Sequence, residues 1–191
     1  QEDWDNSGLQ VGDRNAEVNA ALLTVDVTES VVDEAIEKHC DLIISHHPLI
    51  FRGLKQITGS TTQERCIEKA IRHNIAIYSS HTSMDVYLHG VSGKIADKLD
   101  IINYHILCPT TDDNVGLGVI GELKTPMKSD DFIHFVQNIF DCSLRYIKPC
   151  DENITTVAIC GGAGAEFITQ AIAQGADIYI TADMKYHEMQ A

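Results

Sequence analysis

Two short segments that each follow a predicted strand carry side chains able to bind a metal ion. Ser45-His46-His47-Pro48 comes directly after an apolar run, and the segment from Ser80 to Asp85, which contains His81, follows another. Parallel α/β sheets bind ligands at the carboxyl ends of their strands. Imidazoles and carboxylates together are typical ligands of zinc, manganese, iron or cobalt. The two segments are therefore candidate metal-binding loops.

The adjacent pair His46-His47 favours two metal ions over one. Neighbouring side chains of an extended chain point to opposite sides, so the two imidazoles would reach two different ions. Pro48 restricts His47 to extended backbone. Asp85 could bridge or complete the ligand set, and paired ions in proteins lie about 3.5–4 Å apart. We predict two divalent ions bound by His46, His47 and Asp85; the alternative is that His46 and His47 are ordinary loop histidines.

A third polar segment, at 181–188, follows another predicted strand. Together with His81, its Asp183 and His187 are candidate catalytic residues that carry protons or orient metal ligands. A lone surface histidine is the alternative for His187. The glycine-rich stretch at 161–164 could contact a phosphate at a helix amino end, although a plain tight turn explains it as well, since neither the P-loop nor the dinucleotide pattern is present.

Composition narrows the range of partners and compartments. The formal net charge is −14, from 28 acidic and 14 basic residues, and with no local basic cluster it disfavours nucleic acid as a partner. No run of eighteen apolar residues is present, so we expect no membrane span. The six cysteines form no CxxC pair. They indicate buried free thiols in a cytoplasmic protein rather than a structural zinc site.

Strand-like and helix-like patterns alternate along the chain. Strands separated by helices imply an α/β fold with mainly parallel sheets. A polar, turn-rich stretch from Pro109 to Val115 predicts a boundary between a first lobe at 1–108, which carries both metal loops, and a second at 109–191. The predicted strands lie at 18–27, 42–45, 75–79, 101–107, 118–123, 144–147, 156–160 and 176–181. The predicted helices lie at 30–39, 61–74, 91–99 and 130–140, with another from the 161–164 turn to about 174 and a helix start at 183.

Six segments of the sequence occur in a recognisable order. They are WDNSGLQVG at 4–12, SHHPLIF at 45–51, HTSMD at 81–85, IGEL at 120–123, CGG at 160–162 and YITADMKYH at 179–187. With these segments the chain resembles the dinuclear-metal proteins called GTP cyclohydrolase 1 type 2 homologues, or Nif-three-like proteins. The resemblance spans nearly the whole chain, and its first two motifs are specific in combination. One departure is Ala182, where the family usually has glycine.

The resemblance implies a Nif-three-like fold of two interlocked α/β lobes, a metal site between them and a toroidal homohexamer. The family's His-His pair and aspartate match His46, His47 and Asp85. Its later histidine and glutamate normally lie beyond the YITADMKYH segment, so we expect the native carboxyl-terminal segment to be missing from this sequence. For that reason His187 and Glu188 are not assigned as replacements for those ligands.

Two functions are consistent with these residues. The first is a metal-dependent hydrolase, similar to GTP cyclohydrolase 1 type 2, that acts on a small nucleotide-like or phosphoester substrate. The second is a non-catalytic metal-binding module or ring-shaped interaction scaffold. The additional polar groups at 181–188 favour the hydrolase, because metal storage alone would not need them.

Overall fold

The fold consists of two compact units, Gln1–Met84 and Asp85–Ala191, each with a four-stranded sheet. The computed structural model describes residues 4–110, 114–147 and 153–189. Both units combine strands with helices, which confirms the α/β class. Among the described residues, no helix has the length and apolar character that crossing a membrane would need.

The sheet of the first unit has the strand order β1-β4-β3-β2. Strands β2, β3 and β4 are parallel, whereas β1 is antiparallel to β4. The elements are β1 (Gly8–Val11), β2 (Ala21–Thr24), α1 (Glu29–Glu37), β3 (Leu42–Ser45), α2 (Thr62–Arg72), β4 (Ala76–Ser79) and α3 (His81–Asp85), the last of which ends at the first residue of the second unit.

One face of this sheet packs against α1 and α2. Ile43 and Ile77 are register partners on β3 and β4 and are fully buried, in one cluster with side chains of both helices. Each helix begins at a threonine cap, where the Thr28 hydroxyl accepts from the Val31 N–H and the Thr61 hydroxyl from the Glu64 N–H. Such caps satisfy backbone donors that have no partner within the helix.

The sheet of the second unit has the order β5-β6-β7-β8. Strands β5, β6 and β7 are antiparallel, and only β8 runs parallel to its neighbour β7. Its core contains Leu99, Phe132, Ile154 and Val157, all fully buried. The elements are α4 (Val91–Lys98), β5 (Ile101–Pro109), β6 (Gly116–Lys128), α5 (Ser129–Phe140), β7 (Asn153–Ala163), a 3-10 turn (Ala165–Phe167), α6 (Ile168–Ala173) and β8 (Ile178–Ala182).

Parallel pairing is thus less extensive than the sequence indicates. It dominates the first sheet, whereas β5 and β6 are joined by residues 110–115, a connection short enough only for an antiparallel pair. The polar stretch Pro109–Val115, predicted to separate the lobes, lies within the second unit and begins at the last residue of β5. Its residues 111–113 lie outside the described residues.

Three local predictions in the second unit are wrong. Residues 144–147 form no strand, and residues 186–189 form a turn instead of beginning a helix. The stretch at 161–163 is the end of β7 and not a turn. Short apolar runs carry no information about a partner strand, and β-propensity depends on that context.

Candidate functional site

Two buried serines fix the loops that follow β3 and β4. Ser45 and Ser79 are the last residues of these strands and lie opposite each other in the parallel register. The Ser45 hydroxyl donates to the His47 carbonyl at 2.8 Å, and the Ser79 hydroxyl donates to the His46 carbonyl at 2.8 Å. The His81 N–H donates to the same His46 carbonyl at 2.9 Å. The two predicted metal-binding loops therefore lie side by side.

Three imidazole rings cluster at this end of the sheet. The ring centroid of His46 is 4.9 Å from that of His47 and 5.6 Å from that of His81, and the last two are 6.0 Å apart. Residues 46–47 form a bend beyond the end of β3, so the strand does not continue through the His-His pair. The bend brings the two rings together instead of placing them on opposite sides of a strand.

A buried aspartate holds the third histidine. Asp5 Oδ1 lies 2.6 Å from His81 Nδ1, and the aspartate side chain is fully buried. Its oxygens also accept hydrogen bonds from the Ser7 hydroxyl, from the hydroxyl and N–H of Thr82, and from the Asn6 N–H. Burial would raise the pKa of Asp5, but the hydrogen bonds from Ser7, Thr82, His81 and Asn6 outweigh it and hold the pKa well below its usual range.

A second carboxylate orients His47. Asp26 Oδ1 lies 2.8 Å from His47 Nδ1, in a pair whose side chains are both more than half exposed. Since Asp26 occupies Nδ1, Nε2 is the ring nitrogen left to bind another group. Histidines that ligate metals almost always have such a partner on the other nitrogen. The pair of His47 with Asp26 is the arrangement commonly found for a histidine that binds a metal ion, and the pair of His81 with Asp5 orients a histidine beside it.

Two exposed aromatic rings border His81. The ring centroids of Trp4 and Phe51 lie 6.2 and 6.3 Å from its imidazole, and the two side chains are 62% and 48% exposed. Gln10 accepts a hydrogen bond from the Ile50 N–H at 2.8 Å, which ties the segment of Trp4 to that of Phe51. Large aromatic residues so exposed beside polar groups are typical of binding surfaces.

The ligand set seen in the described residues is incomplete. Within 4–110, 114–147 and 153–189, no group of three or more His, Cys, Asp and Glu side chains could hold one metal ion. Asp85, the predicted carboxylate ligand, is the partly buried last residue of α3. The assignment of His46, His47 and Asp85 as metal ligands therefore stays a prediction.

The remaining predicted site residues lie in the second unit. Asp183 follows β8 with a left-handed backbone (φ 55°), and the His187 ring contacts that of Tyr186 at 5.4 Å between centroids. Nearby, the Glu188 carboxylate accepts a hydrogen bond from the Lys185 backbone N–H at 2.7 Å. The catalytic roles of Asp183 and His187 stay predictions.

The predicted phosphate contact at the glycine-rich stretch loses its structural basis. Strand β7 continues through this stretch, and the helix beyond it, α6, has only six residues. The Thr181 hydroxyl donates to the Gly162 carbonyl at 2.9 Å, and the Tyr179 hydroxyl donates to the Gly164 carbonyl at 2.7 Å. The stretch is tied to β8 and does not begin an anion-binding helix.

Sequence reasoning missed two functional candidates, Asp5 and Asp26. Asp5 lies within the WDN motif, a signal that could have identified it. Asp26 carries no such signal, because it follows a strand like many surface aspartates. Both were found only through their contacts with histidines 76 and 21 residues away.

Comparisons with known proteins agree with this fold. The model of the Duf34/NIF3 (NGG1p interacting factor 3) family matches residues 1–191. A GTP cyclohydrolase 1 type 2 homolog of Clostridium acetobutylicum is 37% identical over 190 residues, which are 98% of this chain and 71% of that protein. A homolog of the same name from Streptococcus pneumoniae is 37% identical over 191 residues, 97% of this chain and 71% of the relative.

Solved structures show the same likeness. The crystal structure of a Bacillus cereus protein related to NIF3 has a TM-score of 0.92 at 27% identity and covers 100% of this chain and 79% of that one. A Staphylococcus aureus protein has a TM-score of 0.91 at 31% identity, with coverage of 99% and 76%. The family match over the whole chain and the 37% identity to two relatives lead to one conclusion: this chain belongs to the Duf34/NIF3 (NGG1p interacting factor 3) family.

Proposed function

We propose that the protein binds two divalent metal ions through His46, His47 and Asp85 and hydrolyses a small nucleotide-like or phosphoester substrate. The observation that carries the proposal is the cluster of three imidazoles at the ends of β3 and β4, two of which have Nδ1 held by a carboxylate. This donor set suits zinc, manganese, iron or cobalt. At least one further ligand must join the cluster, since the described residues contain no complete set.

The metal ions, when bound, would lower the pKa of a water and polarise the group under attack. The residues of the chain provide the remaining functions. His47 presents Nε2 because Asp26 occupies Nδ1. His81 stands beside the predicted ligands with Nδ1 on Asp5, so its Nε2 can take a proton from the nucleophile or return it to the leaving group.

Trp4 and Phe51 favour a substrate with a planar ring. Both rings lie within 6.3 Å of His81, centroid to centroid, and both are substantially exposed. Aromatic side chains stack on bases of any identity, and each contact contributes about 1–3 kcal/mol. A nucleotide-like substrate would place its base on these rings and its reactive group toward the histidines.

The protein as a whole is proposed to be a cytoplasmic homohexamer. Cys40, Cys66 and Cys160 are buried free thiols, which accords with a reducing compartment. Light scattering of the purified protein tests the assembly, and a monomer or dimer at micromolar concentration would contradict it.

Elemental analysis and a hydrolysis screen test the proposed function together. The wild-type protein should contain about two divalent ions per chain and hydrolyse at least one nucleotide or phosphoester. The double variant His46→Ala/His47→Ala should lose both the metal and the activity. The matched control His73→Ala/His134→Ala removes two histidines outside the cluster. It should retain both the metal and the activity.

The outcomes separate the two candidate functions. Metal that disappears from the double variant, with no hydrolysis by the wild-type protein across the screen, would support a non-catalytic metal-binding module instead. Unchanged metal content in the double variant would overturn the metal assignment itself.

A further inference from the structure

We propose that Asp5 is a positioning residue that holds His81 in the tautomer with its proton on Nδ1, so that Nε2 faces the reaction as the proton acceptor. This inference rests on the proposed function in one respect, namely that His81 carries a proton during hydrolysis. Neither the family description nor the relatives' names assign a role to Asp5.

The hydrogen-bond partners of Asp5 determine the direction of its bond to His81. An ionised carboxylate can only accept hydrogen bonds. Ser7 and Thr82 donate through their hydroxyls and Asn6 donates through its N–H, so the fully buried carboxylate is surrounded by donors. The proton in the 2.6 Å contact with His81 must therefore lie on Nδ1 of the imidazole.

The surroundings keep Asp5 ionised. Opposite-charge partners and hydrogen bonds to the charged form lower the pKa of a carboxyl group, whereas burial raises it. At Asp5 the hydrogen bonds outweigh the burial, and the pKa is held well below its usual range. The carboxylate is thus favoured in its ionised form, which can only accept hydrogen bonds.

The backbone at His81 shows that its position is fixed at a conformational cost. Its φ of 27° lies in a region that non-glycine residues seldom adopt. His81 is kept there by the hydrogen bond from its backbone N–H to the His46 carbonyl and by the contact of its imidazole Nδ1 with the Asp5 carboxylate. Strained residues of this kind persist where the surrounding structure over-determines them, and they cluster at functional sites.

The tautomer that Asp5 imposes on His81 can be measured directly, and the effect on kcat then separates a positioning role from a purely structural one. Two-bond proton–nitrogen spectra of the metal-free protein, with its histidines labelled with nitrogen-15, distinguish the two tautomers of neutral imidazole. His81→Gln identifies the signals of His81 by their disappearance. In the wild-type protein we expect His81 to be the Nδ1–H form; an Nε2–H form there would overturn the proposal whether or not any variant folds.

The variant Asp5→Asn replaces an obligate acceptor with an amide that can also donate to Nδ1. We expect the Nδ1–H population of His81 to fall and kcat to drop by at most about 10²–10⁴-fold, the contribution that a general acid or base typically makes, with little change in KM. Ser7→Ala is the matched control, because it removes a donor to the same carboxylate and leaves the acceptor in place. It should retain the Nδ1–H tautomer.

The tautomer spectra and the kinetic measurements test the two proposals separately. If Asp5→Asn keeps the wild-type tautomer, the positioning role is overturned while the metal site stands. If the tautomer changes but neither protein hydrolyses any substrate, Asp5 does hold the tautomer of His81, and the proposed hydrolase is what fails.

Discussion

Asp26 and His47 form a carboxylate–imidazole pair, with 2.8 Å between Asp26 Oδ1 and His47 Nδ1. In the proposed centre this pair would direct Nε2 of His47 toward a metal ion and increase its basicity. Asp26→Asn should therefore weaken metal binding by about 10- to 100-fold, as loss of such partners commonly does. Competition titration with a coloured chelator measures the change.

A matched control for this variant is Asp33→Asn. Asp33 is an exposed aspartate of the same unit that pairs with Lys69, and surface pairs of this kind contribute little. The Asp33→Asn variant should therefore leave metal affinity unchanged. Equal loss in both variants would indicate a general effect of charge and remove the specific role of Asp26.

Asp85 and His81 should differ in what they do for the metal centre. Asp85→Asn should lower metal affinity, because an amide oxygen is a weaker ligand than a carboxylate. His81→Ala should keep both ions bound and reduce turnover alone. Both variants should retain the wild-type circular dichroism spectrum. If Asp85→Asn keeps full metal content while His81→Ala loses an ion, the two roles are reversed.

The aromatic pair should affect substrate binding more than turnover. Trp4→Ala and Phe51→Ala should each raise KM for a nucleotide substrate by about 5- to 150-fold, which corresponds to about 1–3 kcal/mol of lost stacking. The metal content should not change. Tyr146→Ala removes an aromatic ring of similar exposure in the second unit and serves as the control; an equal rise in KM there would argue against stacking on Trp4 and Phe51.

Glu64 should make the stability of the protein depend on acid pH. Its carboxylate accepts the N–H groups of Thr58 and Ser60, and these bonds lower its pKa from the ordinary value near 4.5. The ionised form therefore stabilises the fold above the pKa of the unfolded chain. That stabilisation is lost as the pH falls through the folded-state pKa.

The variant Glu64→Gln should consequently unfold more easily than the wild type at pH 7 and approach it below about pH 4. Urea unfolding at both pH values measures the difference. Glu68→Gln is the control, because Glu68 is an exposed partner of Arg72. At pH 7 its free energy of unfolding should differ from that of the wild type by less than that of Glu64→Gln does. A gap between Glu64→Gln and wild type that is equally large at both pH values would contradict the linkage.

The sequence by itself determined many of the local elements and the positions of the two loops. Strand β3 has the predicted bounds of 42–45, and α2 lies within the predicted 61–74. These elements follow from apolar periodicity and from the capping threonine Thr61, which are properties of neighbouring residues. For the same reason the histidine loops could be placed at strand ends, and the fold class follows from the order of the elements.

Only the tertiary structure decided which distant groups the histidines meet. The bond between Asp5 and His81 joins residues 76 positions apart, and no periodicity or spacing encodes such a pair. Local sequence likewise did not specify the bend that brings His46 and His47 together. Nor did it reveal the antiparallel pairing of β5, β6 and β7. Strand partners and buried polar contacts are selected by the packing of the whole unit, because burying a charged group is costly unless partners from elsewhere in the fold compensate it.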